Sequence, residues 1–368
     1  MTSRLDKLRQ KLAESQLQLD TILISQAENR RYLSGFVGSA GYLLISQERA
    51  LLATDSRYVE QAQGQAPDFE IVRIEGEPDN WFPKLISELG ATRLGFEGSD
   101  LSFAAYRRLT EALGLPDEIG EERPQLIPTD GLAESLRAVK EEEELRLISQ
   151  AIQLTDAAFE HISQRLQPGM TEKEVAWQLE KYMRENGGEG VAFELIVASG
   201  PNSAFPHARP TERRLQEGKP IVIDIGAKVN GYCGDLTRSV CLGEPDETFK
   251  RVYDIVLGAQ LTAIATLEGG MSGEQADRLA RRAIEEAGYG EAFGHGLGHG
   301  LGLNVHEQPR LGKTSTDILA EGMVTTIEPG IYLPGWGGVR IEDVVVLEKG
   351  RARVLSQASK KEDPRRQT

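Results

Sequence analysis

Four of the five histidines fall in short segments crowded with glycine, proline and acid: His207 in PHARP, and His295, His299 and His306 in GHGLGHGLGLNVHEQP. Three carboxylates interrupt apolar runs: Asp224 in IVIDIG, Glu328 in VTTIEPG and Glu342 in VRIEDVVV, while Asp235 follows Asp224 after a glycine-containing turn. A strand buried on both faces has no reason to carry a carboxylate unless something pairs with it. Gathered into one pocket, four carboxylates would repel one another and take up protons. Two divalent cations remove that conflict, and oxygen-rich ligation with a single imidazole suits Mn, Co or Zn. The glycines of GHGLG would let the backbone pass close to a metal or substrate. A phosphate-cradling loop is the competing reading of that stretch, but no P-loop lysine follows it.

An internal repeat ties these residues together. The pattern L-x-x-G-M-[TS] at Leu166–Thr171 returns at Leu267–Ser272, and Glu185 and Gly187 return as Glu286 and Gly288. Ala192-Phe193 returns as Ala292-Phe293, and His207 with Pro210 as His306 with Pro309. L-x-E-G-x4-I-[D/E]-x-G covers Leu215–Gly226 and again Leu319–Gly330, which equates Asp224 with Glu328; a looser match equates Asp235 with Glu342. Two halves that each supply two acids and a histidine predict one shared site at a pseudo-twofold axis.

The elements that must position this site divide in two. A chain of 368 residues exceeds the usual single core. Its first part alternates helical and strand patterns: a helix over 4–16, strands over 21–24, 42–45, 50–53, 69–73 and 93–96, and helices over 80–89 and 102–113. Pro124, Pro128 and a Thr-Asp-Gly step predict its end. A long helix is expected from about Lys140 to Leu166, its first turns rich in glutamate as the helix dipole favours. The second domain runs to about Leu355, with a frayed polar tail beyond. His161 on the long helix reads as a packing or surface residue, and Cys233 and Cys241, eight residues apart, as inert thiols. The cysteines suit a reducing compartment. The amino-terminal MTSRLDKLRQKLAES lacks the apolar middle of a signal peptide, so the cytoplasm is expected. No apolar run approaches a bilayer span, and a net charge of −15 opposes a nucleic-acid partner.

The segments PHARP, IVIDIGAKVNGYCGDLTR, GHGLGHGLGLNVHEQP, TIEPGIY and GVRIED resemble those of the pita-bread metallopeptidases, above all Xaa-Pro aminopeptidase and prolidase. YLSGFVGSAGYLLIS and LLATDSRYVEQA resemble the amino-terminal domain of the same enzymes, which methionine aminopeptidase lacks, so the resemblance covers essentially the whole chain. It implies an α/β (α+β) architecture: a creatinase/prolidase-type α/β domain over 1–130 and a pita-bread catalytic domain over 139–355. It also implies metal ligands Asp224, Asp235, His299, Glu328 and Glu342, with Asp235 and Glu342 bridging two divalent ions, Mn foremost and Co or Zn as alternatives. His207 and His306 match catalytic histidines, Glu328 would also carry the proton, and His295 and Arg340 match residues around the proline-binding pocket. Where the family often has a second acid after IED this chain has Val344, with little consequence expected because Glu342 is the ligand.

The activity implied is metal-assisted hydrolysis of the bond between an amino-terminal residue and a following proline. Xaa-Pro aminopeptidase is the first reading and Xaa-Pro dipeptidase (prolidase) the alternative. A metal-free creatinase-like hydrolase and a non-enzymatic pita-bread binding protein are the readings from other classes; the full set of candidate ligands and histidines speaks against both. The expected partners are peptides with proline in second position and a second copy of the chain in a homodimer, with no nucleic acid and no membrane.

Overall fold

The computed structural model describes residues 3–114 and 123–362. Contacts separate the chain into Met1–Arg137 and Ala138–Thr368. No helix among the described residues is long and apolar enough to cross a membrane.

The first unit is a six-stranded mixed sheet in the order Glu70–Arg73, Ala50–Thr54, Tyr42–Ser46, Thr21–Ile24, Arg93–Glu97, Gln125–Thr129. Leu23, Leu44, Leu51 and Leu94 pack against Phe82, Leu85 and Ile86 of the Phe82–Leu89 helix to form its core. The stretch around Pro124 and Pro128 supplies the last strand of this sheet, parallel to Arg93–Glu97, an element its prolines hide in the sequence. Proline is tolerated there because the strand lies at the sheet edge, where one row of N–H groups needs no partner. Two short helices, Ala27–Ser34 and Val59–Gln65, also went unsignalled.

The second unit repeats one plan twice. In the first half, helices Glu142–Ser163 and Glu172–Glu185 accompany a sheet ordered Leu236–Cys241, Pro220–Ile225, Ile196–Ser199. The second half has helices Glu247–Thr266 and Gly273–Glu286. Its sheet is ordered Glu307–Leu311, Gly298–Gly300, Val324–Ile327, Asp343–Glu348, Arg351–Val354. Each half buries its own apolar cluster, Phe159, Leu179 and Ile223 in one and Phe249, Ile284 and Val345 in the other.

The repeated L-x-x-G-M-[TS] pattern is the entry to the second helix of each half. Thr171 caps one helix and exchanges bonds with Glu174; Ser272 caps the other and exchanges bonds with Gln275. Each reciprocal pair satisfies two amides that the first turn would otherwise leave open. The repeated glycines end those helices: Gly187 and Gly288 lie at φ +98° and +86°, a left-handed conformation that costs glycine nothing.

The carboxyl-terminal segment departs from the expected frayed tail. Ser356 and Ala358 are buried, and the Cys241 amide donates to the Glu362 carbonyl at 2.8 Å. The cause is Arg238, whose wholly buried guanidinium needs acceptors and takes the Ala358 and Ser359 carbonyls at 2.8 and 3.1 Å together with Asp343 at 2.8 Å.

Asp156, on the long helix, accepts from the Gln357 amide at 2.7 Å, while its Oδ1 is buried with no hydrogen-bond partner among the described residues. Burial raises its pKa to about 6. A carboxyl held above its unfolded value of about 3.9 contributes stability below that value, and this is lost as pH rises through 6. Asp156→Asn is therefore expected to raise Tm by roughly 2–6 °C at pH 8, with the gain vanishing near pH 4 in a thermal-melt series. A gain independent of pH would assign the effect to packing instead.

Candidate metal centre

Strand pairing delivers the acids. Asp224 lies within Pro220–Ile225, and Asp235 immediately precedes Leu236–Cys241, its antiparallel neighbour, where Thr237 faces Asp224. In the other half Glu328 immediately follows Val324–Ile327 and Glu342 immediately precedes Asp343–Glu348, paired so that Ile327 faces Asp343. The halves join at this point. The Glu342 amide donates to the Thr237 carbonyl at 3.0 Å, and Thr237 Oγ1 donates to Glu342 Oε2 at 2.7 Å.

All four acids line one cavity of 430 Å³ with His207, His295, His299, His306 and Arg340. Asp235, His299 and Glu342 offer ligand atoms within 4.8 Å of one another. His299 Nε2 lies 3.2 Å from Glu328 Oε1 and 3.8 Å from Asp235 Oδ2. Its Nδ1 faces the Gly300 carbonyl at 3.1 Å. That contact suits Nδ1–H as donor, which leaves Nε2 turned to the acids, where it donates to Glu328 and, once it gives up that proton, can serve a metal.

The electrostatics show how poorly the acids tolerate one another. Burial, then the charges of Glu342 and Asp224, push Asp235 well above the usual carboxylate range. Burial and the charges of Glu328 and Asp224 do the same to Glu342. Asp224 is also raised by burial, against the pull of Arg340, and its Oδ1 is buried without a hydrogen-bond partner among the described residues. Glu328 is the exception: burial raises it, but the His299 hydrogen bond and charge outweigh burial and hold it at about 2. Buried, mutually repelling oxygen donors, one orphaned oxygen and one oriented imidazole are the donor set that divalent cations satisfy, so the residues fit a metal.

His207 and His306 are exposed at the cavity surface, with the His306 ring edge-on to His299 at 4.3 Å. Burial, then His299, lowers the His306 pKa. His295 is set deeper, with Nε2 against Tyr332 Oη at 2.9 Å and Nδ1 against the Gly296 carbonyl at 2.8 Å. Arg340 lines the cavity, yet its guanidinium is already engaged. It donates to Asp224 Oδ2 at 2.5 Å, Tyr332 Oη at 2.7 Å, Thr237 Oγ1 at 3.1 Å and the Pro206 carbonyl at 3.3 Å.

Gly296 and Gly298 of GHGLGHG line the cavity as expected, but the tightest approaches at the glycines of this stretch are to neighbouring backbone. A Cβ on Gly298 would stand 2.0 Å from the Thr326 carbonyl oxygen, and one on Gly300 2.0 Å from that of Gln308. The close approach is strand to strand, and it is this packing that sets His299 between two backbones.

Several positioning residues escaped the sequence analysis. Buried Glu172 accepts from Ser199 N at 2.7 Å and from Thr211 N and Oγ1 at 3.0 and 2.6 Å, closing the loop that carries His207. Buried Asp277 holds Arg281 at 2.6 Å and the Leu297 amide at 3.0 Å, and Arg281 donates to the His295 carbonyl at 2.6 Å. Thr237 and Tyr332 were in view, inside GDLTR and TIEPGIY, but nothing in those strings distinguishes them.

Residues 146–349 match the model of metallopeptidase family M24, and residues 4–139 match the creatinase/prolidase N-terminal domain. An uncharacterized peptidase of Bacillus subtilis is 39% identical across 97% of this chain and 98% of the relative. Among solved structures, an Xaa-Pro dipeptidase from Bacillus anthracis superposes with a TM-score of 0.92 at 42% identity, covering 97% of this chain and 98% of that one. An X-Pro aminopeptidase from Thermotoga maritima gives 0.83 at 41%, covering 94% and 97%.

Proposed function

This chain belongs to metallopeptidase family M24, with the pita-bread catalytic fold preceded in sequence by a creatinase/prolidase-type domain, and from that premise we propose that it is an Xaa-Pro aminopeptidase. Xaa-Pro dipeptidase (prolidase) is the second reading, favoured by the likeness to the Bacillus anthracis dipeptidase. The observation that carries the proposal is the buried group of four carboxylates and one oriented imidazole at the meeting of the two halves.

Asp224, Asp235, His299, Glu328 and Glu342 would hold two divalent ions, Mn first among Mn, Co and Zn. When bound, such ions supply Lewis-acid polarisation of the scissile carbonyl and acidify water at neutral pH. The rest falls to side chains. Glu328, low in pKa and hydrogen-bonded to His299, carries the proton toward the departing imino nitrogen. His207 and His306, facing the cavity, donate to the carbonyl oxygen as charge develops on it. His295 and Tyr332 hold each other on the proline side. A bond to proline has no N–H, so a site that asks nothing of that donor accepts what other peptidases refuse. Arg340 neutralises Asp224 and braces Thr237, the residue that holds Glu342.

The buried cysteines Cys233 and Cys241 suit a reducing cytoplasm. The proposal is tested on Ala-Pro-Ala, Ala-Pro and Ala-Ala-Ala. Release of alanine from the first two, little from the third, and loss of all activity on chelation are expected. Failure on both proline peptides would end the reading.

A further inference from the structure

Resting on that reading, we infer that Glu172 is the positioning residue of His207. Its buried carboxylate ties together both ends of the loop that presents the histidine, while the second half secures His306 at the matching point with backbone. Each half starts its second helix against the segment that returns from its histidine. Thr171 bridges to Arg214, and Ser272 to Ile318. The Glu172 and Lys173 amides donate to the Arg213 and Thr211 carbonyls at 3.0 and 3.2 Å. The Gly273 and Glu274 amides donate to the Asp317 and Ser315 carbonyls at 2.8 and 3.0 Å.

One position breaks this symmetry. After the capping residue the first half has Glu172 and the second has Gly273. A Cβ on Gly273 would stand 2.0 Å from the Arg310 carbonyl oxygen and 2.5 Å from Ser315 Oγ, so the strand leaving His306 lies directly on the helix start. Arg310 is four residues past His306, and its amide donates to Asp317 Oδ2 at 2.7 Å. In the first half the same place in the repeat holds a wholly buried carboxylate.

That carboxylate accepts from both sides of the histidine. Oε1 takes Ser199 N at 2.7 Å, Ser199 Oγ at 2.9 Å and Asn202 Nδ2 at 3.3 Å. Oε2 takes Thr211 N at 3.0 Å, Thr211 Oγ1 at 2.6 Å and Asn202 Nδ2 at 3.2 Å. Ser199 and Asn202 precede His207 and Thr211 follows it, so one side chain closes the loop. Hydrogen bonds to a carboxylate are about twice as strong as neutral ones. The holds between these anchors are neutral or long: the Gly338 amide donates to Ser203 Oγ at 2.8 Å, and Arg340 to the Pro206 carbonyl at 3.3 Å. Glutamine would fill the same volume but turn its own donor toward the Ser199 or the Thr211 amide, and either clash leaves a buried donor unpaired. A histidine that donates to a developing oxyanion works only from the right place, and Glu172 sets that place.

The test is a double-mutant cycle on Ala-Pro-Ala, with metal content and amide hydrogen exchange measured on each protein. Glu172→Gln should leave metal content and KM near their wild-type values and lower kcat about tenfold, part of what loss of the donor itself costs. Exchange should quicken over 203–209 and stay unchanged over 176–185. The substitution should cost nothing further in a His207→Ala background and its full factor in a His306→Ala background. Should Glu172→Gln fold poorly, Thr211→Val removes a single donor to the carboxylate and carries the same cycle with a loss of about threefold. A rate loss equal in the wild-type and His207→Ala backgrounds, or no rate loss at all, would overturn this inference and leave the peptidase reading standing. Wild-type protein that cleaves no Xaa-Pro peptide would overturn both.

Discussion

His299→Ala is expected to leave the site unable to retain its full complement of cations and to cost nearly all activity. His299 is the one imidazole whose nitrogen points at the acids, 3.2 Å from Glu328 and 3.8 Å from Asp235. It offers an atom within 4.8 Å of those offered by Asp235 and Glu342. Its loss also removes the hydrogen bond and charge that keep Glu328 low, so that burial acts on Glu328 unopposed by its main partner. The remaining carboxylates would then hold protons where they should hold metal. Metal content and rate measured on the same preparation check this. A variant with wild-type metal content and a crippled rate would move His299 from ligand to catalyst.

His306→Ala should separate the two properties. The ring packs edge-on against His299 at 4.3 Å but is exposed and directed at the cavity. Among the described residues it forms no ion pair with the four acids, whereas His299 faces Asp235 and Glu328. Metal content should therefore stay at the wild-type value while kcat falls about 10²–10³-fold, the usual cost of removing one donor to a developing oxyanion. Burial and the neighbouring His299 lower its pKa, so the ring is mostly neutral at pH 7 and would donate as an imidazole. Parallel loss of metal and rate in both variants would contradict the division of labour.

Legibility in the sequence followed chemistry more than geometry. The acids stood out because charge inside an apolar strand is costly, and the repeat stood out because caps and turns need particular residues at particular places. Thr171 with Glu174 and Ser272 with Gln275 show that relation directly. The strand Gln125–Thr129 was obscured by the prolines that an edge position allows. The helix Ala27–Ser34, whose AENRRYLS places Arg30 among its buried residues, has no clear apolar stripe to read.

Positioning residues were harder still. Glu274–Arg278 and Asp277–Arg281 are both i,i+4 pairs on one helix, and in sequence they look alike. One is solvated; the other is buried and fixes the His295 segment through its carbonyl. Only the packing of the helix distinguishes them. Arg340 shows the same gap: the resemblance sets it around the proline-binding pocket, and only the structure shows its guanidinium held by Asp224, Thr237 and Tyr332.

The central claim is that the paired acids of the two halves exist to hold two cations. Elemental mass spectrometry on purified protein, before and after exhaustive chelation, tests it most directly when peptidase rates are recorded alongside. The account predicts two divalent ions per chain, their removal by chelation together with the activity, and the return of both when Mn is added. Undiminished Xaa-Pro hydrolysis in protein stripped of metal would contradict it.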